Sequence, residues 1–158
     1  MAYQFYVTII GAKQGQFKGE GTGKSHKGKI PAVGFLYEVK SPRDIATGQA
    51  SGKRQHNPVR ITKEWGASSP QIFQALVTNE VLKSVLCEFV RADPKGQEEV
   101  YYTIKLTNAS VSDLKQYLDE TQTAGDYAGK ALEDVSFTFQ KIEEEDKIAN
   151  RAASDSWM

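Results

Sequence analysis

Apolar side chains recur at every second position in stretch after stretch of this chain, and a period of two admits little besides β-strands. Tyr3, Phe5, Val7 and Ile9 share one face, with Gln4, Tyr6 and Thr8 on the other. Val33, Phe35, Tyr37 and Val39 alternate with Gly34, Leu36 and Glu38, and Val59, Ile61 and Trp65 with Arg60, Thr62 and Glu64. Further on, Val85, Cys87 and Phe89 form such a face, as do Val100, Tyr102, Ile104 and Leu106, and then Val135, Phe137 and Phe139. Half-buried strands of this kind, separated by turn residues, predict a mainly β protein: an antiparallel barrel or sandwich. At 158 residues the whole chain, 1–158, is expected to form one domain. Such a domain buries roughly 70% of the surface its unfolded chain exposes.

One segment departs from that period. Ile72, Phe73, Leu76 and Val77 fall on a single helical face, predicted to cover the sheet. Ser68 and Ser69 offer caps, Pro70 suits the first turn, Gln71 stands where a capping box with Ser68 would need it, and Asn79 is the predicted stop.

Three stretches lack the apolar residues of either pattern. Gly19 to Lys29 is rich in glycine and lysine. Ser41 to Asn57 joins two clear strands, and a connection beyond about 12–15 residues in a compact domain is usually functional or disordered. Its composition suits a segment ordered only on contact. The third is Asp119 to Lys130. The acidic run Glu143 to Asp146 reads as a solvated strand end.

Charge narrows the function. Lys plus Arg is 20 and Asp plus Glu is 20, a formal net charge of zero, which argues against a polycation for nucleic acid or membrane. The zero is made of opposed halves: residues 1–65 carry 11 Lys/Arg and 4 Asp/Glu, leaving 9 and 16 for the rest. A single cysteine, Cys87, excludes an intrachain disulfide framework and reads as a small buried side chain. The first residues lack the pattern of a secretory signal, and no apolar run approaches the ~18 residues that span a bilayer.

Several catalytic or ligand-binding arrangements fail on spacing. Gly19-Glu20-Gly21-Thr22-Gly23-Lys24-Ser25 ends like a phosphate-binding loop. Three residues separate its outer glycines where four are needed, and Gly28 and Pro31 break any helix that should follow. A nucleotide hydrolase using Lys24 and Ser25 is therefore disfavoured. His26 and His56 are the only histidines, and no short metal-ligand pair accompanies them or Cys87. Ser25 and His26 are adjacent, so they point apart on a strand and are no evidence of a dyad. Lys24, Lys27 and Lys29 with Phe35 and Tyr37 downstream suggest a single-stranded nucleic-acid surface, against which the acidic second half counts. No catalytic residue, cofactor or metal is expected.

An ordered set of motifs carries more. Gly19-Glu20 followed by His26-Lys27-Gly28-Lys29-Ile30, then Ser51-Gly52-Lys53 through Val59-Arg60-Ile61-Thr62-Lys63, then Ser69-Pro70 opening the helix, resembles the Hcp family of bacterial type VI secretion systems. Tyr101 to Ala109 and Glu133 to Phe139 are similar to its two late strands. Two positions depart from the pattern: Gly21, where a small hydroxyl residue is common, and Lys29, where an aromatic often sits.

The resemblance implies an antiparallel β-barrel with one flanking helix and a long protruding loop. It implies hexameric rings that stack into a tube inside a contractile sheath and beneath a spike, with small effector proteins as cargo. It also implies cytoplasmic assembly followed by export without a signal peptide. On this reading no nucleic acid is bound and no membrane is entered. The long loop, through Pro42, Arg43, Asp44, Lys53, Arg54, Gln55 and His56, is the expected inter-ring element. A ring needs two non-identical complementary faces, and the opposed charge halves are expected to map partly onto them. Indifference of ring assembly to salt and to charge reversal at Arg43 or Arg54 would refute that mapping.

Overall fold

A computed structural model describes residues 5–22, 26–118 and 130–158. Lys24, Ser25 and nearly all of the third predicted loop lie outside the described residues. Chain order is β1 (Phe5–Gly11), β2 (Gly15–Gln16), β3 (Ile30–Ala32), β4 (Gly34–Leu36), β5 (Val39–Lys40), β6 (Gln55–His56) and β7 (Val59–Glu64). The helix α1 (Ser68–Val77) follows, then β8 (Leu82–Ala92), β9 (Glu98–Leu118), β10 (Ala131–Thr138), β11 (Lys141–Asp146) and β12 (Arg151–Ser156).

Every ladder is antiparallel. The main path runs β3–β1–β8–β9–β10–β7–β4. Its first and last members are successive halves of one segment that bends at Val33, whose N–H bonds to the Thr62 carbonyl at 2.8 Å. The two ends of the path are thus joined by the chain itself, and the fold is the expected antiparallel β-barrel.

β9 makes the other corner. Residues 98–109 pair with β8 and residues 110–118 with β10. Two residues before the switch Asn108 takes a φ of 50°, a left-handed value that asparagine tolerates better than most residues. Besides β2, which pairs with the far end of β1, two two-stranded units stand off the barrel path. β11 pairs with β9 and carries β12 beyond it, and β5 with β6 forms a separate two-stranded ribbon.

The period-two expectation holds in the core. Val7, Ile9, Ile61, Val85, Cys87, Leu106, Val135 and Phe137 are fully buried, and Ile72 and Ala75 of α1 close over them. Phe5, Phe35 and Phe89 meet with centroids 4.9–5.9 Å apart, adding aromatic contacts to the area they bury.

Other expectations change. Phe73 and Val77 point outward, 54% and 57% exposed; only Ile72, Ala75 and part of Leu76 face the sheet. Trp65 lies past the end of β7 and is exposed. The acidic run does end a strand, filling the last four positions of β11, but it is half-buried between β9 and β12 rather than fully solvated.

The capping box does not form. Ala67 is the N-cap with no side-chain cap bond, and Gln71 Oε1 instead accepts from the Lys18 amide at 2.7 Å. At the other end Asn79 stops the helix as expected. With φ 54° it completes a Schellman pair, Glu80 N–H to Ala75 O at 2.9 Å and Asn79 N–H to Leu76 O at 3.3 Å.

Candidate functional site: the projecting ribbon and its root

The expected long loop is built, not slack. β5 pairs with β6 in the register Val39↔His56 and Lys40↔Gln55, and Arg43 bridges to Ala50 farther out. Asp44 closes the tip, its Oδ1 accepting from the amides of Ala46 at 2.7 Å and Thr47 at 3.0 Å. An aspartate that binds backbone two and three residues on imitates a turn, and Gly48, with φ 74°, returns its amide to the Asp44 carbonyl. The ribbon therefore carries its own order, correcting the expectation of a segment ordered only on contact. Its arms are exposed from Arg43 to Lys53, and Ile45 at the tip is fully so.

Of the residues singled out in the sequence, Pro42, Arg43, Asp44 and Lys53 lie on the outer part. Gln55 is at the root, exposed, on β6. Arg54 and His56 turn inward to one carboxylate. Arg54 grips Asp155 with Nε to Oδ2 at 2.6 Å and Nη2 to Oδ1 at 2.9 Å, and donates to the carbonyls of Ser156 and Met158 at 2.9 and 2.7 Å. His56 Nε2 meets Asp155 Oδ2 at 2.9 Å, and its Nδ1 meets the Tyr37 hydroxyl at 2.7 Å. Trp157 and Phe139 pack on the His56 ring, leaving its side chain 2% exposed. The Arg54 fork and the His56 contact hold the Asp155 carboxyl well below the usual carboxylate range. Burial, then the charges of Glu144 and Asp155, push the Tyr37 hydroxyl up, so it stays protonated.

The second cluster explains the glycine–glutamate motif. Gly19 passes so close to Lys29 that a Cβ would collide with that residue's backbone carbonyl. Gly19 N–H bonds to Gly28 O at 3.1 Å and Gly21 N–H to Lys29 O at 2.8 Å, and Gly28 supplies a φ of 78°. The fold of this loop delivers Glu20 to the start of α1, where its Oε1 accepts from the Ala67 amide. An acidic group at a helix N-terminus satisfies an orphan donor and complements the helix dipole. Beside it, Ser69 Oγ accepts from the Gly66 amide at 3.0 Å, and Pro70 continues the first turn, exposed. Ile30 is buried opposite Val7, and His26 stacks on Tyr6 at 3.8 Å with Glu98 against its Nε2. Motif residues more than forty positions apart thus form one joint between loop and helix.

Two features escaped sequence reading. Lys63 and Glu133 form a fully buried ion pair beneath the start of α1. Asp155 gathers the ribbon root from a strand with no apolar period to reveal it. The opposed charge halves also acquire a different meaning. Lys29 pairs with Glu88, Arg54 with Asp155 and Lys63 with Glu133. These three cations of the first half are matched to carboxylates of the second within one chain, so part of the charge opposition is satisfied inside the subunit.

Nothing described revives the other chemistries. The residues after the glycine-rich loop enter a turn and then β3, not a helix. Among the described residues no group of three or more His, Cys, Asp or Glu is arranged to hold a metal ion. Nor, among the described residues, is any helix long and apolar enough to cross a membrane. Burial pushes the Cys87 thiol up to about 12, assisted by the charge of Glu88.

A bent-strand barrel with, among the described residues, one helix and an exposed two-stranded ribbon defines the class: a mainly β, antiparallel barrel protein. Residues 6–145 match the model of the family described as type VI secretion system effector, Hcp, and the chain belongs to that family. It is similar to a major exported protein of Pseudomonas aeruginosa, 36% identical over 166 residues, spanning 99% of this chain and 96% of the relative. Among solved structures it resembles an Hcp protein at a TM-score of 0.92, with 27% identity and 99% of each chain covered. It also resembles Hcp1 of the E. coli pathovar EAEC 042 at 0.86, with 29% identity, covering 99% of this chain and 100% of that one.

Proposed function

We propose that this chain is the repeating subunit of a type VI secretion tube. Six copies close a ring through non-identical faces, rings stack in one orientation, and contraction of a surrounding sheath drives tube and spike outward. The subunit has no enzymatic activity of its own and uses no cofactor. It assembles in the cytoplasm, is exported by the contraction itself, and carries small effector proteins in the lumen.

The observation that carries this reading is the ribbon. A two-stranded element separate from the barrel sheet, stiffened at its tip by Asp44 and ending in a fully exposed Ile45, is shaped to reach another molecule. Leaving an isoleucine in water forgoes about 1.5–3 kcal/mol of burial, which contact with the next ring recovers. In this assignment Pro42, Arg43, Asp44 and Lys53 meet the neighbouring ring, while Arg54, Gln55 and His56 form the root.

Negative-stain microscopy of the purified protein tests the whole reading: rings of six with a central hole are expected. Replacing residues 44–49 by two glycines is expected to leave the rings and remove stacking and secretion. Monomers in analytical ultracentrifugation of that variant would reassign the ribbon to the ring itself.

A further inference from the structure

The hydrogen bonds of the ribbon explain its stiffness but not its direction. Those between β5 and β6, at the Arg43–Ala50 bridge and around Asp44 all tie one arm to the other. So does the pair of bonds from Asn57 to Glu38, 2.9 Å from the amide and 2.8 Å from the side chain. A two-stranded ribbon bonded only to itself swings about its two roots. What meets its root from outside is Phe139, packed on His56, and β12 with the residues that follow it. Of these, only β12 and the residues after it hold the ribbon by side-chain hydrogen bonds among the described residues.

We infer that Asp155 is the positioning residue of the ribbon: it fixes the angle at which residues 39–56 leave the barrel by locking the descending arm to β12. One carboxylate is gripped from two sides by residues two positions apart. Arg54 approaches as a two-bond fork, which constrains angle as well as distance. His56 takes the same Oδ2 and passes the constraint through its other nitrogen to Tyr37, on the ascending root. Arg54 also holds the Ser156 and Met158 carbonyls, so backbone as well as side chain of the last strand is engaged. Trp157 closes over His56 and Phe139, keeping water from the histidine. β12 itself is anchored to β11 over six residue pairs, Lys141↔Ser156 to Asp146↔Arg151, and β11 to β9 over another six. The angle of the ribbon is thereby referred to the barrel wall through Asp155, β12 and β11.

The effect on stacking rests on the ribbon's proposed inter-ring role; the orientation itself does not. Spin labels at Ala46→Cys on the tip and Asp113→Cys on the barrel report the angle as a distance distribution. Doubly labelled chains are diluted ten-fold into unlabelled protein, and the buried native Cys87 is left unlabelled. The unaltered latch gives one narrow distribution. Asp155→Asn, which keeps shape and removes charge, is expected to broaden it at least two-fold. Trypsin cleavage after Arg43 and Lys53 should rise about ten-fold and tube growth fall about ten-fold, with ring formation unchanged and the amides of β8 and β9 still protected from exchange.

The exchanged pair Arg54→Asp with Asp155→Arg should narrow the distribution again, which a merely destabilising change would not do. Should Asp155→Asn fail to fold, Arg54→Met removes the same grip from the other side. A distribution that stays narrow in these variants overturns the inference. A broadened distribution with undiminished tube growth leaves the positioning intact and refutes the inter-ring role instead.

Discussion

Lys63 and Glu133 face each other across β7 and β10, Nζ 3.1 Å from Oε2, and neither side chain reaches solvent. Both sit on the core side of their strands, where the period calls for apolar residues. Around them Lys63 donates to the Glu64 carbonyl at 2.8 Å and to Ser69 Oγ at 3.2 Å, and Gln116 donates to Glu133 Oε1 at 3.0 Å. The pair links the start of α1 to the β7–β10 ladder. Desolvating two charges is so costly that such a pair is weak evidence of net stability, yet removing one partner strands the other.

Lys63→Met is therefore expected to cost about 3–5 kcal/mol, read as a lower midpoint in urea unfolding. The double change Lys63→Met with Glu133→Leu should recover most of that loss. Equal destabilisation in single and double variants would show that the network, rather than the unpaired charge, is what matters.

Glu20→Ala removes the acceptor for the Ala67 amide. Loss of a helix cap costs about 1 kcal/mol, and the amides at the start of α1 should exchange hydrogen faster while β8 and β9 stay protected. Gly19→Ala is expected to be worse, because the added Cβ meets the Lys29 backbone and not a movable side chain.

The two faces of α1 separate cleanly. Ile72→Ala should cost about 2–5 kcal/mol through lost burial and a residual cavity, since Ile72 is fully buried. Phe73→Ala, one residue on and exposed, should fall within about 0.5 kcal/mol of the parent in the isolated subunit. Chemical denaturation of dissociated protein compares them.

Acid should act late on the ribbon root. Asp155 titrates below its unfolded value of about 3.9, so its contribution is fully present above that pH and is lost only as pH falls through the depressed folded value. Glu80 moves the same way: burial raises it, but the amides of Gln14 and Lys13 and the Gln14 side chain outweigh burial. Trypsin susceptibility at Arg43 and Lys53, sampled by brief acid exposure and neutral digestion, should be flat from pH 7 to about 4.5. Opening well above pH 4.5 would show that Asp155 does not control the root.

Cys87 should resist thiol reagents in the folded protein at pH 8, with its thiol pushed up to about 12 inside the core. Modification at the rate of a free thiol would mean that β8 opens far more often than its burial implies.

Wherever one face of a strand is buried and the other wet, the alternation was readable: Val7, Ile9, Ile61, Val85 and Val135 all point inward. Strands without that contrast were not. β12 carries Ala152, Ala153 and Ser154 with no large apolar residue, because it is an outer strand exposed on both faces. Lys63 and Glu133 were invisible as a pair, since a lone charge in a strand reads as solvent-facing until its cross-strand partner is known. The root of the ribbon joins residues 101 positions apart, and no local pattern encodes such a meeting. The position of the helix was legible from its turn residues, whereas its outward Phe73 and Val77 follow from how far α1 is rotated over the sheet.

The bend at Val33 gives the barrel a mechanical character. A shell closed by hydrogen bonds alone opens at its weakest rung, one rung at a time. Here the closing segment is peptide chain, fastened by three residue pairs to β1 on one side and three to β7 on the other. A load that spreads β1 from β7 is carried by the peptide chain between two three-pair fastenings, so segment 30–36 works as a hoop. In the tube proposed above, a subunit driven outward by contraction would meet loads of this kind, and a hooped wall would resist a change of cross-section under them.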